Sequence, residues 1–410
     1  MTIATPISSA ECSRRFIEIS DCLLDHQDLW STKPFEDIPP PWANTFPELT
    51  HWLTSLDDQQ YSHYAANIDE LNNALSAFIP AFTNLQKISR LHRFDTAGDN
   101  AQYRHINTGI AGRKWQQICE FSAVFDQTIN PIETPIIEWC AGKSHLGRLL
   151  NLQTTQPVTA LEIDPAICLS GQQLAQRDNA DVNHINCNVI NTGADQINSS
   201  HTVVALHACG DLHTHLLNVA GCIRPNILAI APCCYQLTKH EQKPWLSSVG
   251  MQSKLQLSRD DLKIALMDTV VARKRNINIR NKFNEWRLGF DELQRINGDN
   301  NNYLHVPALP EKLLKGSFKE FCQQVAKIKN ITLKGSVDYH HFEQLGIERY
   351  KKTQRYSLVR YIFRRPLEVL LSLDYCLFLQ QHNYSVQLGE FSDYQTTPRN
   401  IMLLATQLKE

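Results

Sequence analysis

Glu138, Gly142 and Glu162 are the residues whose types and spacing point most directly to chemistry. Ile136 to Leu150 reads IIEWCAGKSHLGRLL. Two apolar residues lead to an acid, Glu138; a turn of small residues follows, Cys140-Ala141-Gly142; then Leu146, Leu149 and Leu150 recur at helical spacing. That pattern predicts strand, tight turn and helix, the first unit of a doubly wound α/β sheet with its ligand at the strand's carboxyl end. Gly142 has no Cβ to hold a ligand off, and N–H groups at a helix start can meet a polar ligand.

Two cofactor classes compete for such a turn. Ala-Gly-Lys-Ser looks like the end of a phosphate-binding P-loop, but the glycine required five residues before Gly142 is Ile137. The dinucleotide fingerprint fails as well, since only Gly142 and Gly147 are present. An acid followed by a small-residue turn fits S-adenosylmethionine (SAM), with the acid facing the ammonium group and the turn lying against the methionine moiety. Cys140, Ala141, Gly142, Lys143, His145 and Gly147 are the candidate contacts. Lys143 could instead face substrate or solvate the turn.

Val158 to Asp164 (VTALEID) predicts a second buried strand ending in acids. A carboxylate near 20 residues past the glycine turn can accept from both ribose hydroxyls. Glu162 is the first choice and Asp164 the second, and a helix N-cap before Pro165 is the competing role for Asp164. Val182 to Val189 predicts a third strand, with Asn188 placed for the adenine edge. Thr202 to Ala208 and Asn226 to Ala231 predict a fourth and a fifth. Strands alternating with helical stretches imply parallel βαβ units.

The chain has 410 residues, 42% hydrophobic and 20% charged, enough for one large or two medium cores. Apolar runs fall well short of the ~20 residues of a membrane span, and MTIATPISSAECSRR is not a secretory signal. Twelve cysteines without a C-x-x-C pair suit reduced thiols and a cytoplasmic location. The net charge of −2 hides an asymmetry: residues 251–365 hold 23 Lys+Arg against 12 Asp+Glu, while residues 1–250 hold 15 against 25. The basic segment is either a polyanion footprint or a solvated helical face.

Residues 1 to 98 read as a helical N-terminal region, with Phe16, Ile19, Leu23 and Leu24, then Leu71, Leu75, Phe78, Ile79 and Phe82, at helical spacing. Residues 99–410 read as the catalytic domain, with a basic helical insertion over about 240–365. Ser385 to Phe391 and Ile401 to Thr406 predict a final antiparallel pair, completing a seven-stranded Rossmann-like sheet of the class I SAM-dependent methyltransferase type.

Polar groups concentrate where strands four and five end: His207, Ala208, Cys209 and Asp211, and Cys233, Cys234 and Tyr235. In a parallel sheet these ends line one crevice. Together EWCAGKSHLG (138–147), LHACGDL (206–212), APCCY (231–235), GRKWQQI (112–118) and TPRNIMLL (397–404) resemble one family over roughly residues 100–410. These are the methyltransferase-like proteins whose domain is shared with the glutathione S-transferase C-terminal domain-containing protein and the ribosomal RNA adenine dimethylase domain-containing protein. The resemblance implies SAM-dependent methyl transfer and leaves the substrate open. The family has glycine where this chain has Ser144, which could add a hydrogen bond while narrowing the turn.

Three roles compete for the two motifs. Cys233 or Cys234 could attack C6 of a pyrimidine. His207, Cys209, Cys233 and Cys234 could bind zinc, although adjacent cysteines and H-x-C are unusual spacings. The favoured reading is that they shape the pockets without metal, with His207 or Asp211 as hydrogen-bond partner or base. Arg113-Lys114-Trp115 suits phosphate contact and base stacking, or merely starts a helix. Arg273, Lys274, Arg275 and Arg280 form the densest basic cluster. RNA is the leading acceptor class; a protein side chain, a small molecule, or a non-catalytic role for a SAM-type fold are the alternatives.

Overall fold

The computed structural model describes residues 5–97, 101–129, 131–266, 274–297, 302–307, 309–333 and 336–408, and only the backbone of residues 101, 274–276 and 297. Eight strands form one sheet: β1 (His92–Arg93), β2 (Ile136–Trp139), β3 (Val158–Glu162), β4 (Val182–Asn186), β5 (Thr202–Ala205), β6 (Ile227–Ile230), β7 (Tyr384–Glu390) and β8 (Ile401–Gln407), in the order β1-β7-β8-β6-β5-β2-β3-β4. β2 to β6 pair in parallel, β8 runs antiparallel to both β6 and β7, and β1 pairs in parallel with β7. The expected count of seven is corrected by β1, an edge strand of two residues, too short for any periodicity to show.

β2, β5 and β6 are buried at every position, as central parallel strands covered on both faces must be, and this is why they read as apolar runs instead of alternating ones. The chain leaves β2 towards β3 and β4 on one side, and later lays β5 and β6 on the other. The strand order therefore reverses between β2 and β5, which opens a crevice at their carboxyl ends. Helices Gly112–Thr128 and His145–Thr154 pack Phe121, Phe125, Leu146, Leu149 and Leu150 onto Ile136, Val158, Val204 and Met402 of the sheet. Helix Arg364–Gln381 is apolar on most sides and buried from Pro366 to Leu379.

The chain divides into two compact units, Met1–Leu24 with Leu85–Asp268 and Arg365–Glu410, and Asp25–Asn84 with Thr269–Arg364. This differs from the expected boundary at 98/99. In the sheet unit, Ile7 N–H donates to the Val386 carbonyl at 3.0 Å and the Cys12 thiol to the Leu373 carbonyl at 3.5 Å, so the first helix belongs with the sheet. The second unit gathers its own core around Trp286, Phe290, Phe318, Phe321 and Phe342. Its helix Tyr339–Tyr361 covers the apolar faces of residues 25–84: Arg355 Nε donates to the Leu56 carbonyl at 2.7 Å, and the Trp42 and Tyr356 rings meet edge-on at 5.7 Å. Helical spacing predicts these faces but not their partner, which lies some 300 residues away.

Three arginines of the second unit are paired with acids inside it. Arg349 reaches Asp291 at 2.6 Å and Glu292 at 2.9 Å, Arg295 reaches Asp291 at 2.8 Å, and Arg355 reaches Asp58 at 2.7 Å. Arg273 lies outside the described residues, as do the side chains of Lys274 and Arg275. Among the described residues, no helix is long and apolar enough to cross a membrane.

Candidate active site

The crevice between β2 and β5 is lined by Lys114, Ile118, Glu138, Trp139, Cys140, Ala141, His145, Leu146, Leu206 and His207. The turn that forms its floor is built from unusual backbone. Cys140 (φ 56°), Gly142 (φ 58°) and Ser144 (φ 51°) all occupy the left-handed region, which disfavours side chains. A Cβ added to Gly142 would meet nothing within 4 Å. Open space lies over Gly142, and its left-handed φ by itself favours glycine there. Gly147 is the opposite case: a Cβ there would sit 2.3 Å from Ser144 Oγ, 2.5 Å from Glu138 Oε2 and 2.9 Å from Val158 Cγ1. Gly147 lets the helix close against the strand.

Glu138 lines the crevice yet is tied beneath the turn. Its Oε2 accepts from the Ser144 hydroxyl and, at 3.0 Å, from the Gly147 N–H. Burial raises its pKa to about 7, against the lowering effect of those bonds and of Lys114. The expected direct role, an acid turned wholly towards a ligand ammonium, is thus shared with a structural one. Ser144 supplies a hydrogen bond that glycine could not, while standing in the left-handed region.

Glu162 reaches under the turn from β3. Its Oε2 accepts from Gly142 N–H at 2.9 Å and its Oε1 from Asp164 N–H at 3.0 Å. It is therefore held at the turn's edge, 20 residues along the chain from Gly142. Asp164 follows its competing role: its carboxylate caps helix Pro165–Arg177 by accepting from Ala166 and Ile167 N–H at 2.8 and 3.2 Å. Asn188 is likewise a cap, accepting from Ile190 N–H at 3.1 Å. Lys143 is exposed beside the turn.

Two histidines face the crevice. Arg148, buried against Asp178, also contacts His145 Nδ1. A guanidinium only donates, so Nδ1 accepts and the His145 proton sits on Nε2. Burial, then Arg148 and Lys114, lower the His145 pKa to about 3. His207 keeps an exposed edge, but desolvation and Lys114 lower its pKa to about 4, so at neutral pH it is an uncharged donor and acceptor. Burial pushes the Cys140 thiol up to about 12.

The other catalytic candidates do not share this crevice. Asp211 and Tyr235 line a second cavity with Gly210, His213, Lys243 and Tyr375. Asp211 accepts from Lys239 N–H at 2.8 Å, and Tyr235 packs edge-on to His213 at 5.7 Å. His213 in turn links the Ala208 carbonyl and the Tyr375 hydroxyl, each at 3.1 Å, so Ala208 is engaged inward. Cys209 and Cys233 place their sulfurs 3.1 Å apart, and both thiols bias Cys234 towards its thiolate, with Arg399 adding positive potential. The Cys209 thiol is correspondingly raised, to about 11. Sequence reasoning missed Arg399 and His213; nothing in TPRN or DLHTH marks either one. Lys114 was read as a phosphate contact and also lines the crevice itself. Arg113 and Arg280 stand on helices Gly112–Thr128 and Lys274–Asn297 of the first and second unit respectively.

Residues 113–241 match the family described as a methyltransferase domain, and the matched segment contains the turn, both histidines and all three clustered cysteines. No functionally curated protein matches the chain. Among solved structures, it is similar to the tRNA (uracil-54, C5)-methyltransferase of Pyrococcus abyssi in complex with S-adenosyl-L-homocysteine, at 14% identity over 28% of each chain with a TM-score of 0.25. It is also similar to magnesium protoporphyrin IX methyltransferase of Synechocystis with bound SAH, at 14% identity over 32% of this chain and 64% of that one, TM-score 0.24. A third is M. capricolum TrmK in complex with the cofactor product S-adenosyl-homocysteine, at 13% identity over 55% of this chain and 99% of that one, TM-score 0.25. The chain thus spans barely a quarter of the first and under two thirds of the second. Superposition at this level is too loose to bear on substrate or mechanism. The family match covers under a third of the chain.

Proposed function

We propose that the protein is a SAM-dependent methyltransferase whose cofactor lies in the β2–β5 crevice. The observation that carries the reading is Gly142, left-handed and facing open space at a topological switch point, with a carboxylate fixed behind it. When bound, SAM supplies an electrophilic methyl group on a sulfonium. The chain's part is to bind and align. Glu162 is placed to exchange its bonds to the Gly142 and Asp164 amides for ribose hydroxyls. Glu138, ionised as pH rises through about 7, provides negative charge for the cofactor's cationic end. His207 and His145, neutral at that pH, offer hydrogen bonds without repelling a sulfonium.

RNA is the acceptor class we favour, with Arg113, Lys114 and the basic segment around Arg280 as phosphate contacts, in a protein of the methyltransferase-like family named above that works in the cytoplasm. The support is the excess of basic residues in 251–365, reduced by the internal ion pairs of Arg349, Arg355 and Arg295. Incubation of the full chain with methyl-labelled SAM and total RNA or total protein tests this. Label in RNA, released by ribonuclease, is the expected result; label confined to protein or small molecules would overturn the RNA acceptor.

A further inference from the structure

Three cysteine sulfurs meet at the carboxyl ends of β5 and β6 in an arrangement that pocket shaping does not require. The Sγ atoms of Cys209, Cys233 and Cys234 all lie within 4.8 Å of one another, with Cys209 and Cys233 at 3.1 Å. Adjacent residues of an extended chain point to opposite sides. Cys234 instead takes φ 47°, and this turn brings two neighbouring side chains to one point. Such a conformation is disfavoured for a residue other than glycine and persists where the surroundings enforce it.

The surroundings do enforce it. Gly210 N–H donates to the Cys233 carbonyl at 3.2 Å, Leu237 N–H to the Cys234 carbonyl at 2.9 Å, and Asp211 N–H to the Leu237 carbonyl at 2.9 Å. Asp211 then holds Lys239 N–H at 2.8 Å. A Cβ at Gly210 would lie 1.9 Å from the Leu237 carbonyl oxygen, so only glycine permits the two loops to clasp. The sulfurs are preorganised by backbone.

We propose that Cys209, Cys233 and Cys234 bind one thiophilic divalent metal ion, zinc, with the fourth coordination position open. Thiolates select zinc among the common divalent ions, and zinc–sulfur bonds of ~2.3 Å in tetrahedral geometry set sulfurs roughly 3.8 Å apart. The 3.1 Å between Cys209 and Cys233 is shorter than that spacing and all three sulfurs lie within 4.8 Å of one another, so small side-chain rotations would bring them to it. Among the described residues, no histidine nitrogen or carboxylate oxygen joins the three sulfurs. Three protein ligands and an exchangeable fourth position is the pattern of reactive zinc, whereas structural zinc is closed by four. Only the role of the open position rests on the methyl-transfer reading: a donor atom of the acceptor would bind there and lose its proton to solvent.

The experiment is a cobalt(II) titration of the full-length reduced protein, with zinc content measured on the same preparation. We expect one zinc per chain, displaced or mimicked by cobalt with thiolate-to-cobalt charge-transfer and tetrahedral d–d bands. Cys209→Ser, Cys233→Ser and Cys234→Ser should each weaken cobalt affinity at least tenfold, while Cys222→Ser, an exposed cysteine outside the cluster, should not. Adding 2-mercaptoethanol should shift the bands, as an exogenous thiol enters the open position. SAM titration of the same serine variants separates the two proposals, because cofactor binding should survive loss of the metal. Absence of cobalt bands in the reduced parent, full affinity in any of the three variants, or a Cys209–Cys233 disulfide in peptide maps would overturn the site. Bands unmoved by the thiol would overturn the open position.

Discussion

Removing the Ser144 hydroxyl should loosen the cofactor turn in a way that depends on pH. The hydroxyl donates to the buried Glu138 carboxylate, which also accepts from Gly147 N–H at 3.0 Å. A hydrogen bond to a charged group is worth ~1.5–3 kcal/mol and to a neutral one ~1 kcal/mol. Alanine pays about the same left-handed penalty as serine, so Ser144→Ala reads the hydrogen bond alone. Glycine at 144 loses the same bond but recovers ~1 kcal/mol of backbone strain. Glu138 has a folded pKa of about 7, above that of an exposed glutamate, so the folded state retains the proton longer and stability falls as pH rises from the carboxylate range towards 7. Without the hydroxyl, which favours the charged form, that fall extends further. Hydrogen exchange over residues 136–150 is the assay, at about pH 5.5 and about pH 8.5 after correction for intrinsic rates. Ser144→Ala should lose roughly ten- to a hundredfold protection at the higher pH and distinctly less at the lower, with Ser144→Gly between Ala and parent. Equal protection of Ala variant and parent at both values, or a Gly variant no better than Ala, would refute the reasoning.

Three other outcomes follow from the same geometry. SAM affinity should strengthen as pH rises through about 7, and Glu138→Gln should flatten that dependence in titration calorimetry; an unchanged profile would remove Glu138 from the cationic end of the cofactor. Asp374 is buried and accepts from Leu246 N–H, Ser247 N–H and hydroxyl, and Lys243, so Asp374→Asn should cost ~3–5 kcal/mol by stranding Lys243, seen as a lowered thermal midpoint. Replacing Arg273, Lys274, Arg275 and Arg280 with alanine should flatten the salt dependence of RNA binding, and an unchanged slope would exclude these residues as phosphate contacts.

The parts legible in the sequence are those where a short local pattern has one physical solution. Two apolar residues, an acid, small residues and spaced leucines give β2, the turn and helix His145–Thr154, and all six strands from β3 to β8 begin within a residue of where the sequence places their starts. Strand ends were overextended because their last polar residues leave the sheet to cap helices, as Asp164 and Asn188 do. The pairing of residues 25–84 with 269–364 was illegible because amphipathic faces do not name their partners. The sequence grouped Cys209, Cys233 and Cys234 with His207 as possible metal ligands; the three sulfurs do meet, through a left-handed backbone at Cys234 that sequence does not show, while His207 stays outside the group.

The most direct test of the central claim is isothermal titration of SAM into the parent protein and into Gly142→Val. A branched side chain at 142 enters the open face of the turn and opposes the left-handed backbone. One equivalent of SAM should bind the parent and none should bind the variant, with circular dichroism showing the fold retained. Equal binding by both, or none by the parent, would contradict the assignment of this crevice to SAM.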